Sequence, residues 1–281
     1  MSRNKILFCD IFYAYNNYDK IKYYIEDEIL EGVMEKIKGK IGFYYKNLVT
    51  GEVISYNEKE PMLAASLIKL TVLGEVFRQI ESGKIREDEI FTTRDIDKVP
   101  SCGALNYMEE GLNVRLKDLY TLMIILSDNY ATNMLIDRCG IENINDFIKV
   151  NGLKNTVLKR KMFDTIGASK GLENYTSAED MALLLEKIYN KTLVSEEASA
   201  KMLEVLKNQR LNGKIPFFLS SGENKVQIAH KTGEDTNITH DVGIVLGKNP
   251  FIICFLGNDV DVPEFERVIQ DKSLEFYKKN K

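Results

Sequence analysis

Apolar residues recur along this chain at two different spacings, and the spacing changes with position. Over residues 18–39, Ile21, Tyr24, Ile25, Ile29, Val33 and Ile37 follow gaps of one, three and four, which predicts an amphipathic helix. Residues 41–46 and 53–56 read as two strands, with 47–52 supplying the turn. From Ala64 the pattern becomes helical: Leu70, Leu73, Val76, Phe77 and Ile80 form one stripe that stops at Gly83. Residues 114–126 and 130–138 predict two more helices, broken at Ser127-Asp128-Asn129. Thr176-Ser177-Ala178-Glu179 is a T-x-x-E capping box opening a helix to about Asn190, and a further helix is expected from Ser195 to about Asn208. Strand patterns return at 226–230, 241–246 and 251–256, with 247–250 as a tight connection, before a last helix over about 263–278.

Strands near both ends and helices between them predict an α/β (α+β) chain. An antiparallel sheet flanked by terminal helices would be interrupted by an inserted all-helical domain. The expected boundaries are 1–62 and 213–281 for the sheet domain and 63–212 for the helical one.

Composition narrows the functional classes. Hydrophobic residues make up 44% and charged residues 28% of the 281, an ordinary globular balance that excludes a disordered chain, a collagen and a coiled-coil rod. With 38 basic against 42 acidic residues there is no basic excess to neutralise phosphates, so no nucleic-acid partner is expected. Only His230 and His240 are histidines, which argues against a multi-histidine metal centre. Cys9, Cys102, Cys139 and Cys254 form no C-x-x-C pair and are expected as free thiols. No run of 18 apolar residues predicts a membrane span. The N-terminus begins Met1-Ser2-Arg3-Asn4-Lys5 like a signal peptide, but Asp10 interrupts the apolar run and no small-x-small site follows. It reads as mature chain, with a removed or replaced signal as the alternative.

Three short polar elements carry candidate chemistry. Ser66-Leu67-Ile68-Lys69 is an S-x-x-K element at a predicted helix start, and a spacing of three puts both side chains on one face. A serine hydroxyl becomes a nucleophile when a base takes its proton, and a lysine can be that base if burial or nearby positive charge lowers its pKa. Orphan N–H groups at the helix start would stabilise negative charge on a substrate oxygen. Ser127-Asp128-Asn129 ends a helix apolar all round, where polar side chains need partners; it could equally be a helix break with Asp128 or Asn129 as the next cap. Lys231-Thr232-Gly233 closes a strand, and offers a positive charge, a hydroxyl and a close backbone approach, or simply a strand end with a turn glycine. A competing G-x-S-x-G match at 167–171, centred on Ser169, lacks the preceding strand and following helix of a nucleophile elbow.

S-x-x-K, S-D-N and K-T-G in this order are the signature of class A β-lactamases and penicillin-binding proteins. The chain resembles the class A β-lactamase-like serine hydrolases over nearly its whole length, most closely at 126–137. The resemblance implies a site in the cleft between the two domains. It implies Ser66 as the acylated nucleophile, Lys69 as its base or proton relay, and Ser127 as the proton donor to the leaving nitrogen. It implies Asn129 on the substrate's amide side chain, Lys231 and Thr232 on its carboxylate, and an oxyanion hole from the N–H groups of Ser66 and Glu234, beside Gly233. It further implies a small β-lactam or acyl-peptide substrate, no cofactor, a monomer, and a secreted or periplasmic setting.

Two stretches depart from the family pattern. Aligned on Thr156 and Arg160, Met162 stands where the family's deacylating glutamate is found, and no Leu-Asn follows. Asp164 and Glu173 lie near, and Asn174 stands where the arginine's acidic partner is found. After Gly233 the stretch Glu234-Asp235-Thr236-Asn237-Ile238-Thr239-His240-Asp241 is acidic where arginine is common, and His240 reads as either a site-edge or a structural residue. Three activities are expected from this pattern: a β-lactam hydrolase with slow or atypical deacylation, a related serine peptidase or esterase of D-Ala carboxypeptidase type, and a penicillin-binding sensor that stays acylated.

Overall fold

The computed structural model describes residues 32–100 and 102–281. The helix expected over 18–39 lies mostly outside them, as do Cys9 and the N-terminal run; residues 32–34 are helical. The chain forms two units, Met1–Lys38 and Gly39–Lys281, and the second holds all the polar motifs.

The strands of this second unit are β1 (Lys40–Asn47), β2 (Val53–Tyr56), β3 (Met62–Leu63), β4 (Ile90–Thr92), β5 (Asn113–Arg115), β6 (Tyr175–Thr176), β7 (Ile228–Asp235), β8 (Ile238–Val245) and β9 (Phe251–Asn258). Its helices are α1 (Lys69–Glu81), α2 (Leu116–Ile125), α3 (Asn129–Cys139), α4 (Ile141–Val150), α5 (Thr165–Ser169), α6 (Ala178–Tyr189), α7 (Glu196–Lys207) and α8 (Val262–Lys279). Five strands make one antiparallel sheet in the order β2-β1-β9-β8-β7, so β7 is an edge. All residues of β8 and β9 are buried, as expected for strands covered on both faces. On one face Phe43 and Tyr45 pack against Phe276 of α8, and against Phe255 and Phe251 respectively, at centroid distances of 4.4–5.7 Å. α6 packs against β1, β8 and β9.

Three local expectations change and one holds. Ser66 is not on the α-helix: it sits in a 3-10 turn, Ala65–Ile68, and Lys69 opens α1. Lys231-Thr232-Gly233 does not close its strand; β7 continues to Asp235 and turns through Thr236-Asn237, where Asn237 takes φ +55°. The polar run hides the strand because its pairing with β8 is set by backbone, not by alternation. Ser177, not Thr176, caps α6 by accepting from Asp180 N at 3.2 Å, while Thr176 pairs with Leu63's strand and meets Thr156. Ser169 lies in the short helix α5, exposed, donating to Ile166 O at 2.9 Å, so no nucleophile elbow exists there.

Candidate active site

Three separate elements bring the polar motifs together. Ala64 N–H donates to Asn174 O at 2.8 Å, and Ala65 then takes φ +42°, a strained value for a residue with a Cβ. This reversal presents Ser66, 8% exposed, to a cavity of about 380 Å³. Ser66 has no side-chain hydrogen bond among the described residues.

Lys69, one turn on, is fully buried. Its Nζ donates to Ser127 O at 2.6 Å, Ser127 Oγ at 3.0 Å and Asn129 Oδ1 at 2.7 Å. Lys231 reaches the same point from β7, donating to Ser127 Oγ at 3.0 Å and to Thr232 O at 2.7 Å. The Ser127 hydroxyl therefore accepts from two lysines, leaving its own hydrogen to point elsewhere. Burial first, and the Lys231 charge second, push the Lys69 pKa well below its ordinary value. Burial brings Lys231 down to about 7, with Asp241 opposing and Lys214 assisting.

The S-D-N element lines the cavity through Ser127 and Asn129 and caps a helix through Asp128. Asp128 caps α3 by accepting from Ala131 N at 2.9 Å, and its other oxygen accepts from Ala104 N and Leu105 N at 2.7 and 2.9 Å. A Cβ on Gly103, at φ +123°, would lie 2.3 Å from Asp128 Cγ, so glycine is required where this loop crosses the cap. Gly233 has the parallel role on β7: a Cβ there would lie 2.9 Å from His240 Cδ2 and 3.3 Å from Leu67 Cγ. Asn129, Thr232 and Glu234 line the same cavity as Ser66 and Ser127.

His240 is structural. Gly257 N–H donates to its Nδ1 at 3.0 Å, which leaves Nε2–H to donate to Leu63 O at 2.9 Å. Burial lowers its pKa to about 4. Among the described residues no group of three or more His, Cys, Asp or Glu could hold a metal ion, and no helix is long and apolar enough to cross a membrane.

The loop over residues 160–174 commits each of its acids. Glu173 takes Arg160 in a two-point pair, Nε at 3.0 Å and a terminal nitrogen at 2.6 Å. Asn174 Oδ1 accepts from the N–H groups of Lys159 and Arg160. Asp164 caps α5 through Gly167 N at 2.8 Å. Met162 is clamped by Asn133, whose Oδ1 accepts from Met162 N at 2.8 Å and whose Nδ2 donates to Met162 O at 3.0 Å. Met162 lines the cavity with Ser66. Sequence reasoning gave no role to Asn133, to Cys102 on the cavity wall, or to Lys214, which is buried and pairs with Glu234 at 2.8 Å. The Asn133 and Lys214 contacts span 20 residues or more in sequence, and no local pattern marks them.

A family model described as the beta-lactamase enzyme family matches residues 25–279. The chain belongs to that family. A beta-lactamase of Rhodobacter capsulatus is 26% identical over 245 residues, 85% of this chain and 82% of that one. The solved beta-lactamase of Sphaerobacter thermophilus superposes with TM-score 0.82 at 28% identity, covering 88% of this chain and 93% of that one. PBP-A superposes with TM-score 0.80 at 27% identity, covering 90% and 94%. A leucine-to-glutamate variant of PBP-A, solved as its acyl-enzyme complex with penicillin G, gives TM-score 0.81 at 27% identity, covering 91% and 96%.

Proposed function

We propose that this family member opens β-lactam amides by acylating Ser66 and releases the acyl group slowly. The observation that carries the reading is the Ser127 hydroxyl held between two buried lysines beneath the cavity that Ser66 lines. Neutral at its lowered pKa, and so donating two hydrogens rather than three, Lys69 uses its nitrogen lone pair to take the Ser66 proton as Oγ attacks the carbonyl carbon. The backbone N–H groups of Ser66 and Glu234 hold the oxyanion. As the C–N bond breaks, Ser127 passes its free hydrogen to the leaving nitrogen and is reprotonated from the lysines behind it. Lys231 and Thr232 hold the substrate carboxylate, and Asn129 its amide side chain. In this reading the cleft separates the sheet portion, 39–62 and 213–281, from the helical portion, 63–212.

The second half of the cycle lacks a base. Hydrolysis of the ester needs a group that takes a proton from water, and a thioether does not. Glu173 is occupied by Arg160, and Asp164 by the α5 cap. The experiment is a stopped-flow trace with a chromogenic cephalosporin. A burst of one equivalent per chain and a slow second phase support the reading. A second phase of zero would make the chain a penicillin-binding sensor, burst-free turnover would mean that release is not slow, and no reaction with the cephalosporin would favour the peptidase or esterase reading.

A further inference from the structure

The cavity wall is charged unevenly. Among the described residues lining it, five are formally charged: Arg160, Asp164, Glu173, Glu234 and Asp235. Arg160 is spent on Glu173. Glu234 shares Lys214 with Glu266, at 2.8 and 3.7 Å, so one buried cation faces two carboxylates there. Asp235 is exposed and accepts from the adjacent Thr236 N–H at 2.7 Å. Burial alone would raise Glu234, but Lys214 holds it below the usual carboxylate range, so it stays ionised. The wall beyond Lys231 is therefore anionic, and Ser66, nine-tenths buried, opens into the same space.

Position along β7 says which part of a substrate meets these acids. At roughly 3.3 Å per residue, Glu234 and Asp235 lie about 10–13 Å along the strand from Lys231. With the carboxylate at Lys231–Thr232 and the β-lactam carbonyl at the Glu234 N–H, the acyl side chain extends past Glu234 toward Asp235.

We infer that Glu234 and Asp235 select acyl donors by charge, favouring zwitterions with a carboxylate at Lys231–Thr232 and a cation on the acyl side chain. The inference rests on the proposed acylation of Ser66. Three penicillins that differ only at the α-carbon of the benzyl group provide the test: unsubstituted, α-amino and α-carboxy. Second-order acylation constants are measured at about pH 6, where the amine is an ammonium ion, in low and high salt. The α-amino compound is expected to exceed the α-carboxy compound by at least tenfold, about 1.4 kcal/mol. High salt, Asp235→Asn and Glu234→Gln, which keeps its backbone N–H, should each shrink that ratio. Asp235→Asn alters an exposed side chain, so it reports even if Glu234→Gln disturbs Lys214 and the fold. Equal constants with acylation intact, or a ratio untouched by Asp235→Asn, would overturn the charge rule and leave the acyl-enzyme reading standing. No adduct with any of the three would remove both.

Discussion

Met162→Glu should convert a slow acyl-enzyme into a fast one. The Asn133 amide fixes the backbone of position 162 at both N–H and C=O, and neither contact involves the side chain. Methionine and glutamate are both unbranched with three side-chain torsions, so the carboxylate can follow the thioether's course into the cavity. A positioned general base is worth ~10²–10⁴ in rate, or ~2.7–5.5 kcal/mol of barrier. Part of that gain is lost to desolvating the new carboxylate, because Arg160 is committed to Glu173 and offers little compensation. The net expectation is about a hundredfold, near the low end of that range. The assay is stopped-flow hydrolysis of a chromogenic cephalosporin, with acylation and release fitted separately. The release constant should rise about a hundredfold while acylation moves less than about threefold. A wild type that turns over without a burst, or a variant whose release is unchanged while acylation is intact, would refute the assignment of position 162.

Other consequences attach to single groups. Lys231, at about 7, loses its charge as pH rises through neutrality, so acylation by a carboxylate-bearing penicillin should fall on the alkaline side of about 7 more steeply than acylation by an ester lacking a carboxylate; identical profiles would contradict the role. His240 titrates near 6.5 when unfolded and at about 4 when folded, so between those values the unfolded chain binds more protons and stability falls as pH drops. Up to ~3 kcal/mol should be lost across that window, read as the urea midpoint, and His240→Gln should flatten the dependence. Gly74→Ala would place a Cβ 2.2 Å from Cζ of the buried Phe147 and should cost ~1–3 kcal/mol, seen as a lower Tm; an unchanged Tm would mean that α1 and α4 can separate freely.

Much of this fold is legible from spacing alone. The stripe Leu70 to Ile80 predicts α1, and the runs of β1, β2 and β9 read to within two residues because apolar side chains dominate them, whereas β8 starts three residues before the expected 241–246. What escapes is α4, to which no expectation attaches, and backbone detail fixed at long range. Nothing in Ala65 announces a positive φ; that turn is held by Asn174, over a hundred residues away. The polar face of Lys231-Thr232-Gly233 masks a strand whose buried charge is satisfied by Ser127, just before α3, and by its own backbone. His240 leaves two roles open in sequence, and only its hydrogen bonds to Gly257 and Leu63 decide between them. The exchange of roles between Glu173 and Asn174 is likewise a matter of which side chain reaches Arg160.

Intact-protein mass spectrometry during incubation with benzylpenicillin, followed by peptide mapping, tests the central claim most directly. The expected result is a gain of one penicillin mass per chain within the mixing time, located on Ser66, absent from Ser66→Ala and decaying slowly. An adduct on any other residue, or free penicilloate produced by Ser66→Ala at the wild-type rate, would contradict it.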